Sequence, residues 1–260
     1  MLATTNIATL DKEPISFEIA DGKYVVKLAE TPAEVESALR LRYEVFSLEL
    51  AGAKADDPSL LEFDEYDFKC RHLIVVDQTT GKTVGTYRLN SIESARDVRG
   101  FYSYNEFSLE DLPPEILREG VEIGRACIAR EHRNTRVLFL LWKGLVRFLQ
   151  VAGKRFFFGC CSIFTRDPFV GEQAYRQLAA GGSFHKAFRV EPRRNALYLG
   201  EAGLNETPVE LPGLFNMYLR IGARVCGPPM IDHDFGTIDF FVVCDTQNIG
   251  EKYRKMFFNC

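Results

Sequence analysis

The sequence lacks any apolar run long enough to cross a bilayer. Its longest apolar stretch, near residues 156–164 of 260, is far short of the roughly 20 residues that a membrane helix needs. The N-terminal residues, MLATTNIATLDKEPISF, also lack the basic segment and apolar core of a secretory signal. We therefore expect a cytoplasmic protein.

The cysteine pattern argues against a zinc site and against a disulfide framework. Seven cysteines occur, none in a CxxC pair and none spaced with the four histidines as zinc ligands are. Several lie in apolar, strand-like runs, where a free thiol behaves as a small hydrophobic side chain. The sequence thus predicts a reduced protein without a structural metal.

Basic residues are concentrated in one part of a net-acidic chain. The net charge is −4, yet residues 123–166 contain nine basic residues and a single acid, which gives this stretch a charge of +8. Such an excess indicates an anionic partner, although a solvated basic helix is the simpler alternative. We expect no nucleic-acid partner, because the overall charge is negative and no aromatic and basic stacking platform occurs.

Hydrophobic periodicity predicts an α/β fold with one mixed sheet. The predicted strands are 24–28, 72–77, 82–89, 120–129, 155–162, 224–231 and 236–245, and the predicted helices are 31–50, 134–150, 168–180, 213–222 and a short C-terminal one. Residues 1–22 are predicted to be a poorly ordered lead-in. Residues 23–260 are long enough to bury a core of their own and are predicted to be one domain.

Acidic residues crowd the entrance of a predicted buried strand, where FDEYD (63–67) precedes the apolar run 73–76. On the next predicted strand, Arg88 projects from one face by the two-residue period. If that face is covered, Arg88 needs partners, because an unpaired buried charge is costly. Asp64 and Asp67 are the expected partners, since a guanidinium can bind two carboxylates. The group is either a structural network or the lining of a pocket for a zwitterionic substrate.

The motif EIGRAC (122–127) combines an acid and a base on one predicted strand. Strict alternation places Glu122 and Arg125 on opposite faces, whereas a bulge at Gly124 would bring them together and free backbone N–H groups. An acid beside such donors suits acyl transfer to an amine. The amine must lose a proton before attack, and the N–H groups can hold the oxyanion.

The order of several short motifs resembles that of acyl-homoserine-lactone synthases. These motifs are RYEVF (42–46), FDEYD (63–67), GTYRL (85–89) and EIGR (122–125). The chain looks closer to their relatives, the ornithine N-acyltransferases of ornithine-lipid synthesis and the long-chain N-acyl amino acid synthases, some of which are labelled hemolysin-like. That closer resemblance depends on GFYSYNEF (100–107), YLRIGARVCGPP (218–229) and GTIDFF (236–241).

The resemblance implies a GNAT-type fold, in which helices flank a mixed central sheet. It implies transfer of a long acyl chain, plain or 3-hydroxylated, from acyl carrier protein to the α-amine of an amino acid. Ornithine is the first acceptor that it suggests, and glycine or another amino acid stays open. No bound cofactor or metal is implied; the donor is an acyl-phosphopantetheine thioester. The implied site residues are Glu122 as general base with Arg125 for catalysis, and Arg42, Phe46, Asp64, Asp67 and Arg88 for substrate binding.

Two departures from related families narrow this expectation. Homoserine-lactone synthases have a tryptophan six residues beyond Phe46, whereas Gly52 stands here, which argues against a lactone product. Coenzyme-A-dependent GNAT enzymes have an RxxGxG/A loop, whereas RNTRVL (133–138) stands here and cannot form the same pyrophosphate cradle. A single phosphopantetheine phosphate on an acidic carrier protein would meet Arg133, Arg136, Lys143 and Arg147. The alternatives are a coenzyme-A-dependent N-acetyltransferase and a non-catalytic carrier- or lipid-binding module.

The C-terminal sequence EKYRKMFFNC (251–260) places basic residues beside Met256, Phe257 and Phe258. This composition suits a peripheral contact with anionic lipid at the inner face of the cytoplasmic membrane. The alternative is a terminal helix docked on the core.

Overall fold

The computed structural model describes residues 15–51, 59–197 and 208–258. In chain order the strands are β1 (Glu18–Asp21), β2 (Tyr24–Leu28), β3 (Arg71–Asp77), β4 (Lys82–Ser91), β5 (Gly120–Ile128), β6 (Phe156–Ile163), β7 (Arg224–Val225), β8 (Met230–Asp232) and β9 (Thr237–Asp245). The helices are α1 (Pro32–Arg42), α2 (Ile92–Ala95), α3 (Pro114–Arg118), α4 (Thr135–Ala152), α5 (Pro168–Ala180), α6 (Gly213–Ile221) and α7 (Glu251–Phe257). Among the helices described here, none is both long and apolar enough to cross a membrane.

The chain forms two compact units. Unit 1 comprises residues 1–94, 123–154 and 254–260, and unit 2 comprises residues 95–122 and 155–253. The pairing is mixed, because β5 runs parallel to β6 whereas the other strand pairs given below are antiparallel. The α/β class with a mixed sheet is therefore confirmed, and the single domain over 23–260 stays a prediction.

In unit 1, β1 to β4 pair consecutively as an antiparallel meander. The strands predicted at 72–77 and 82–89 are confirmed, and they form the antiparallel pair β3 and β4. The predicted lead-in is wrong for residues 18–21, which form β1: a tight turn with Gly22 at a φ of 62° returns the chain to pair with β2. The remainder of that lead-in, residues 1–14, lies outside the described residues.

The helices of unit 1 begin at side-chain caps. Thr31 and Glu34 form the predicted capping box of α1, but the predicted helix to residue 50 continues beyond α1 as a π-helical segment, Tyr43–Leu50. Asn134 caps α4. At Gly144, an added Cβ would lie 2.7 Å from Val26, so glycine allows α4 to approach the strands closely.

In unit 2, β6 is paired on both edges, in parallel with β5 and antiparallel with β9. The successive residues Phe156, Phe157 and Phe158 are all buried, so both faces of this strand are covered, which explains its apolar sequence. The single strand predicted at 224–231 is wrong: it is divided into β7 and β8, which both pair with β9. The sequence GPP at 227–229 separates them, since proline has no N–H for a strand ladder.

The predicted loop 91–119 contains α2, α3 and several single turns. Its segment 101–107 lies across one face of the unit 2 strands. Phe101 packs edge-on against Phe158 at 5.1 Å between ring centroids, and Phe107 packs against Phe241 at 5.6 Å. These contacts place the polar residues between Phe101 and Phe107 over β6 and β9.

Candidate active site

Three arginines and three carboxylates of unit 1 form a closed ring of alternating charge. Arg42 binds Asp67 through two hydrogen bonds of 2.6 and 3.1 Å, and its Nε donates to Glu62. Arg88 Nη1 lies 2.6 Å from Asp64 and 3.2 Å from Asp67, so the predicted pairing of Arg88 is present. The order around the ring is Arg42, Asp67, Arg88, Asp64, Arg125 and Glu62.

Arg125 closes this ring. Its Nη2 lies 2.9 Å from Asp64 and its Nε lies 3.1 Å from Glu62. The backbone of Arg125 has a φ of 51°, in the left-handed region, so β5 is irregular immediately after Gly124. The irregularity predicted at Gly124 is thus found at the next residue, where it sets the direction of the Arg125 side chain.

The ring is buried on one side and reachable on the other. The side chains of Arg42, Asp67 and Arg88 are buried, whereas that of Asp64 is 23% exposed. Burial by itself would raise the pKa of Asp67, but its bonds to Arg42 and the charge of Arg88 lower this pKa to about 2. Arg42 therefore positions Asp67, and a ligand can reach Asp64 more readily than either. Direct substrate binding by these residues stays a prediction.

Two neighbours of the ring have simpler roles. His72 is buried with its Nε2 at 3.9 Å from Asp67, and burial lowers its pKa to about 4, so His72 adds no charge to the ring at pH 7. Phe46, predicted to bind substrate, packs against the buried cluster of Leu41, Val45 and Cys127. It has a core contact, and its substrate contact stays a prediction.

Glu122 belongs to unit 2, where its carboxylate holds the loop 101–107. Its two oxygens accept hydrogen bonds from the backbone N–H groups of Tyr102, at 3.0 Å, and Ser103, at 2.7 Å. The side chain is 6% exposed. Glu122 is therefore fixed by two backbone donors of the loop, whereas Arg125 belongs to the ring of unit 1.

A second acidic group lies in unit 2 and includes no basic residue. One carboxylate oxygen each from Glu106, Asp232 and Asp239 lies within 4.8 Å of the others, and all three side chains are buried. Neither oxygen of Glu106 has a hydrogen-bond partner among the described residues. Burial and the charge of Asp239 raise the pKa of Glu106 to about 8.

The basic residues predicted to meet the donor lie in or just before α4. Arg133 is paired with Glu49, at 2.5 and 2.7 Å, and Arg136 lies 3.5 Å from Asp21. Arg136, Lys143 and Arg147 share one face of α4 by the 3.6-residue period. Lys143 is half-buried and Arg147 exposed.

The N-terminus of α4 is already occupied. Asn134 Oδ1 accepts the N–H of Val137 at 3.0 Å. A pyrophosphate on this helix would compete with that cap for the same donor. The cap at Asn134 thus agrees with the sequence of residues 133–138, which lacks the glycines of a pyrophosphate-binding loop.

Comparisons with known proteins show which family the chain resembles. The family model described as "Acetyltransferase (GNAT) domain" matches residues 41–143. The "L-ornithine N(alpha)-acyltransferase" of Rhodobacter capsulatus is 30% identical over 90% of this chain and 94% of its own length. That of Brucella abortus is 31% identical over 89% of this chain and 88% of its own.

The chain belongs to the L-ornithine N(alpha)-acyltransferase family. It is accordingly an acyltransferase with a GNAT-type fold, and the non-catalytic binding module is not supported. Among solved structures, it is similar to the "COA-dependent acyl-homoserine lactone synthase, BjaI", at 14% identity, with 88% of this chain and 82% of that chain covered and a TM-score of 0.48.

This member of the family has acidic residues whose roles its sequence did not reveal. Glu62 stands one residue before the FDEYD motif, and a ring of three arginines indicates the need for a third acid. Glu106 and Asp239 lie within GFYSYNEF and GTIDFF, two motifs that had no assigned role. Gly52, at the position of the tryptophan of the lactone synthases, lies outside the described residues.

Proposed function

We propose that this N-acyltransferase moves a long acyl chain, plain or 3-hydroxylated, from acyl carrier protein to the α-amine of an amino acid, with ornithine as the acceptor. The observation that supports it best is the 30% identity, over about nine-tenths of the chain, to proteins named L-ornithine N(alpha)-acyltransferase. In the reaction, the amine nitrogen attacks the thioester carbonyl, a C–N bond forms, and the C–S bond breaks to release the phosphopantetheine thiol.

Glu122 is the proposed general base, acting directly or through a water. The α-ammonium has a pKa of roughly 8, so it must lose a proton before it attacks. The two backbone donors on Glu122 fix its carboxylate, and each oxygen keeps a lone pair for that proton. Arg125 is proposed to assist from the less buried side of the ring.

Glu122→Gln tests the base. We expect kcat to fall about 10²- to 10⁴-fold, because the amide cannot take the proton. The KM for acyl carrier protein should stay near that of the wild type, and Glu119→Gln, an acid just before β5 that pairs with Arg118, is the matched control. Because Glu122 also holds the loop, thermal unfolding is measured in parallel. A Glu122→Gln enzyme with wild-type kcat would refute the assignment.

Acyl carrier protein is the proposed donor because the basic face of α4 has no pyrophosphate cradle beside it. Lys143→Glu and Arg147→Glu should each raise the KM for the acidic carrier protein, and more strongly at low salt. Lys143 and Arg147 are better positions for this test than Arg133 and Arg136, because the latter two contact acidic residues of the protein. Arg40→Glu, an exposed change on α1, is the control; equal kinetics for all three variants would exclude this surface.

We propose that the fatty product leaves at the cytoplasmic face of a membrane, near the C-terminal segment. Phe257 is buried against Trp142 and Phe139, at 5.8 and 5.6 Å between ring centroids, so this part is docked as the alternative reading expected. Lys252, Arg254 and Lys255 are exposed. Vesicle sedimentation should therefore compare the wild type with a variant in which those three are glutamates; equal binding to anionic vesicles would reject the membrane contact.

The whole proposal is tested by a product screen with mass spectrometry. Purified enzyme is mixed with 3-hydroxyacyl and plain long-chain acyl carrier proteins, the matching coenzyme A thioesters, and a pool of amino acids. We expect N-acylornithine, formed mainly from acyl carrier protein. Products from coenzyme A alone would refute the donor, and a different acylated amino acid would refute the acceptor.

A further inference from the structure

Glu106, Asp232 and Asp239 of unit 2, called the acid cluster below, form an arrangement that a bound ligand would explain. Glu106 is 1% exposed, and both of its oxygens lack a hydrogen-bond partner among the described residues. Burial and the charge of Asp239 raise the pKa of Glu106 and outweigh the Cys160 thiol and the Tyr102 side chain, which act to lower it. A buried carboxylate without partners is costly, so its retention calls for a functional explanation.

Asp232 shows that the cluster is preformed. Its Oδ1 accepts the backbone N–H groups of Asp234, at 2.8 Å, and Phe235, at 3.0 Å, which fixes the side chain in the turn between β8 and β9. Asp232 is 5% exposed, so a ligand would find it already desolvated.

A hydroxyl group adds a second buried polar atom without a partner. Thr237 Oγ1 has none among the described residues, and Thr237 is 1% exposed. Thr237 lies two residues from Asp239 on β9 and directly opposite Asp232 on β8, so the three side chains share one face. This second observation, independent of the acids, indicates a ligand with several hydrogen-bond donors.

The spacing of the acids suits an ammonium group. An –NH₃⁺ has three donors, and three acceptors at about 2.85 Å along tetrahedral directions stand about 4.7 Å apart. The oxygens of Glu106, Asp232 and Asp239 all lie within 4.8 Å of one another, a limit that an ammonium group satisfies. Oxygen ligands around Mg²⁺, at about 2.1 Å, stand about 3.0 Å apart and satisfy the same limit, so a metal ion is tested below as the alternative occupant.

We propose that Glu106, Asp232 and Asp239 bind the side-chain ammonium of the acceptor amino acid, so that the enzyme selects an acceptor with a second amine. This inference rests on the proposed function and adds the residues that determine its specificity. Here the cation would come from the substrate, whereas in the ring of unit 1 it comes from arginines of the protein.

The cluster and the proposed base face the same side of the unit 2 strands. In the strand register, Glu122 lies opposite Phe158 and Asp239 lies opposite Ser162, and positions 158 and 162 of β6 share a face. One loop spans both groups, because Ser103 donates its N–H to Glu122 and Glu106 donates its N–H to the carbonyl of Ser103. An acceptor with its α-amine towards Glu122 would extend its side chain beneath this loop, towards Glu106.

The test compares ornithine with norvaline, which has the same carbon chain and α-amine but no side-chain ammonium. The kcat/KM for each acceptor is measured with one acyl donor for the wild type, Glu106→Gln and Asp239→Asn. The control is Glu110→Gln, an exposed acid of the same loop that pairs with Arg193 at 2.8 Å. Circular dichroism verifies that each variant is folded.

We expect the wild type to prefer ornithine over norvaline by about 100-fold or more, because norvaline would leave both oxygens of Glu106 without a hydrogen-bond partner among the described residues. Glu106→Gln and Asp239→Asn should reduce that preference about 30-fold or more, and Glu110→Gln should not change it.

Three outcomes overturn the inference. Equal use of ornithine and norvaline by the wild type shows that no side-chain ammonium is bound, although N-acyl transfer itself stands. An equal loss for both acceptors in Glu106→Gln shows that the cluster serves the α-amine or the structure. A rise in melting temperature with Mg²⁺ or Mn²⁺ that Glu106→Gln abolishes, without any rise on adding ornithine, identifies a metal site. If the wild type acylates no amino acid, the proposed function fails first.

Discussion

Each unit brings three carboxylates together, but the two groups differ in their partners. In unit 1, Glu62, Asp64 and Asp67 alternate with Arg42, Arg88 and Arg125 in a closed ring, so each acid lies between two arginines. In unit 2, Glu106, Asp232 and Asp239 lie together, and neither oxygen of Glu106 has a hydrogen-bond partner among the described residues. A ring in which every acid is paired can serve as structure, whereas the burial of Glu106 carries a cost that either a proton or a cationic ligand removes.

The contributions of Asp67 and Glu106 to stability change with pH in opposite directions. The folded-state pKa of Asp67 is about 2, below its usual 3.8, so its contribution to stability is present above about pH 4 and is lost as the pH falls towards 2. The pKa of Glu106 is raised from 4.5 to about 8, so the folded state holds a proton that the unfolded state has lost. Stability from Glu106 therefore decreases as the pH rises between these two values.

The largest expected effect comes from breaking the ring. Arg42→Met should lower the free energy of unfolding by about 3–5 kcal/mol, because it leaves Asp67 and Glu62 buried with one partner fewer. Urea unfolding followed by tryptophan fluorescence measures this change, since Trp142, the single tryptophan of the sequence, belongs to unit 1.

The control for that variant is on the same helix. Arg40 is 44% exposed and pairs with Glu36, so Arg40→Met should change stability by less than about 0.5 kcal/mol. If Arg42→Met were no less stable than Arg40→Met, the ring would not be the structural element described here.

Local patterns in the sequence predicted most of the fold. The cap at Thr31, the hairpin of β3 and β4, and the apolar strand β6 follow from short-range signals that the structure retains. The errors have local causes as well. β1 is short and polar at both ends, and the prolines at 228–229 divide what alternation alone presented as one strand.

Local sequence signals also predicted one of the two acidic sites, whereas the other depends on contacts between distant parts of the chain. Arg88 on a covered strand face requires nearby acids, so Asp64 and Asp67 could be named from the sequence. The cluster could not, because Glu106 lies in a loop and Asp239 in β9. Only the register of β8 and β9 and the aromatic contacts of the loop bring them together. Their motifs were noticed, but the sequence contains no rule that pairs them.

The second expected effect concerns the pH dependence of unit 2. Between pH 6 and 8, stability should fall by up to about 1.4 kcal/mol per pH unit because of Glu106, and Glu106→Gln should flatten this slope. Hydrogen exchange of β6 and β9 amides, corrected for the intrinsic effect of pH, measures it in unit 2.

Glu110→Gln is again the control, since Glu110 is exposed and should leave the slope unchanged. Ornithine should reduce the loss of stability between pH 6 and 8 in the wild type and have little effect on the stability of Glu106→Gln. If stability changed with pH equally in the wild type and in Glu106→Gln, Glu106 would not hold its proton between pH 6 and 8. The acids of the two units would then differ less in their response to pH than the structure indicates.

The smallest expected effect examines the accessible side of the ring. The Glu62 side chain is 14% exposed and accepts from both Arg42 and Arg125. Glu62→Gln should cost about 1–2 kcal/mol, less than Arg42→Met, because nearby solvent and the remaining acids compensate both arginines. A double-mutant cycle with Arg125→Met, followed by the same fluorescence, measures how strongly the two are coupled. A coupling near zero would mean that the ring is open at this point, leaving Arg125 available to a ligand; a coupling of about 1 kcal/mol or more would mean that a substrate must displace Glu62 to reach it.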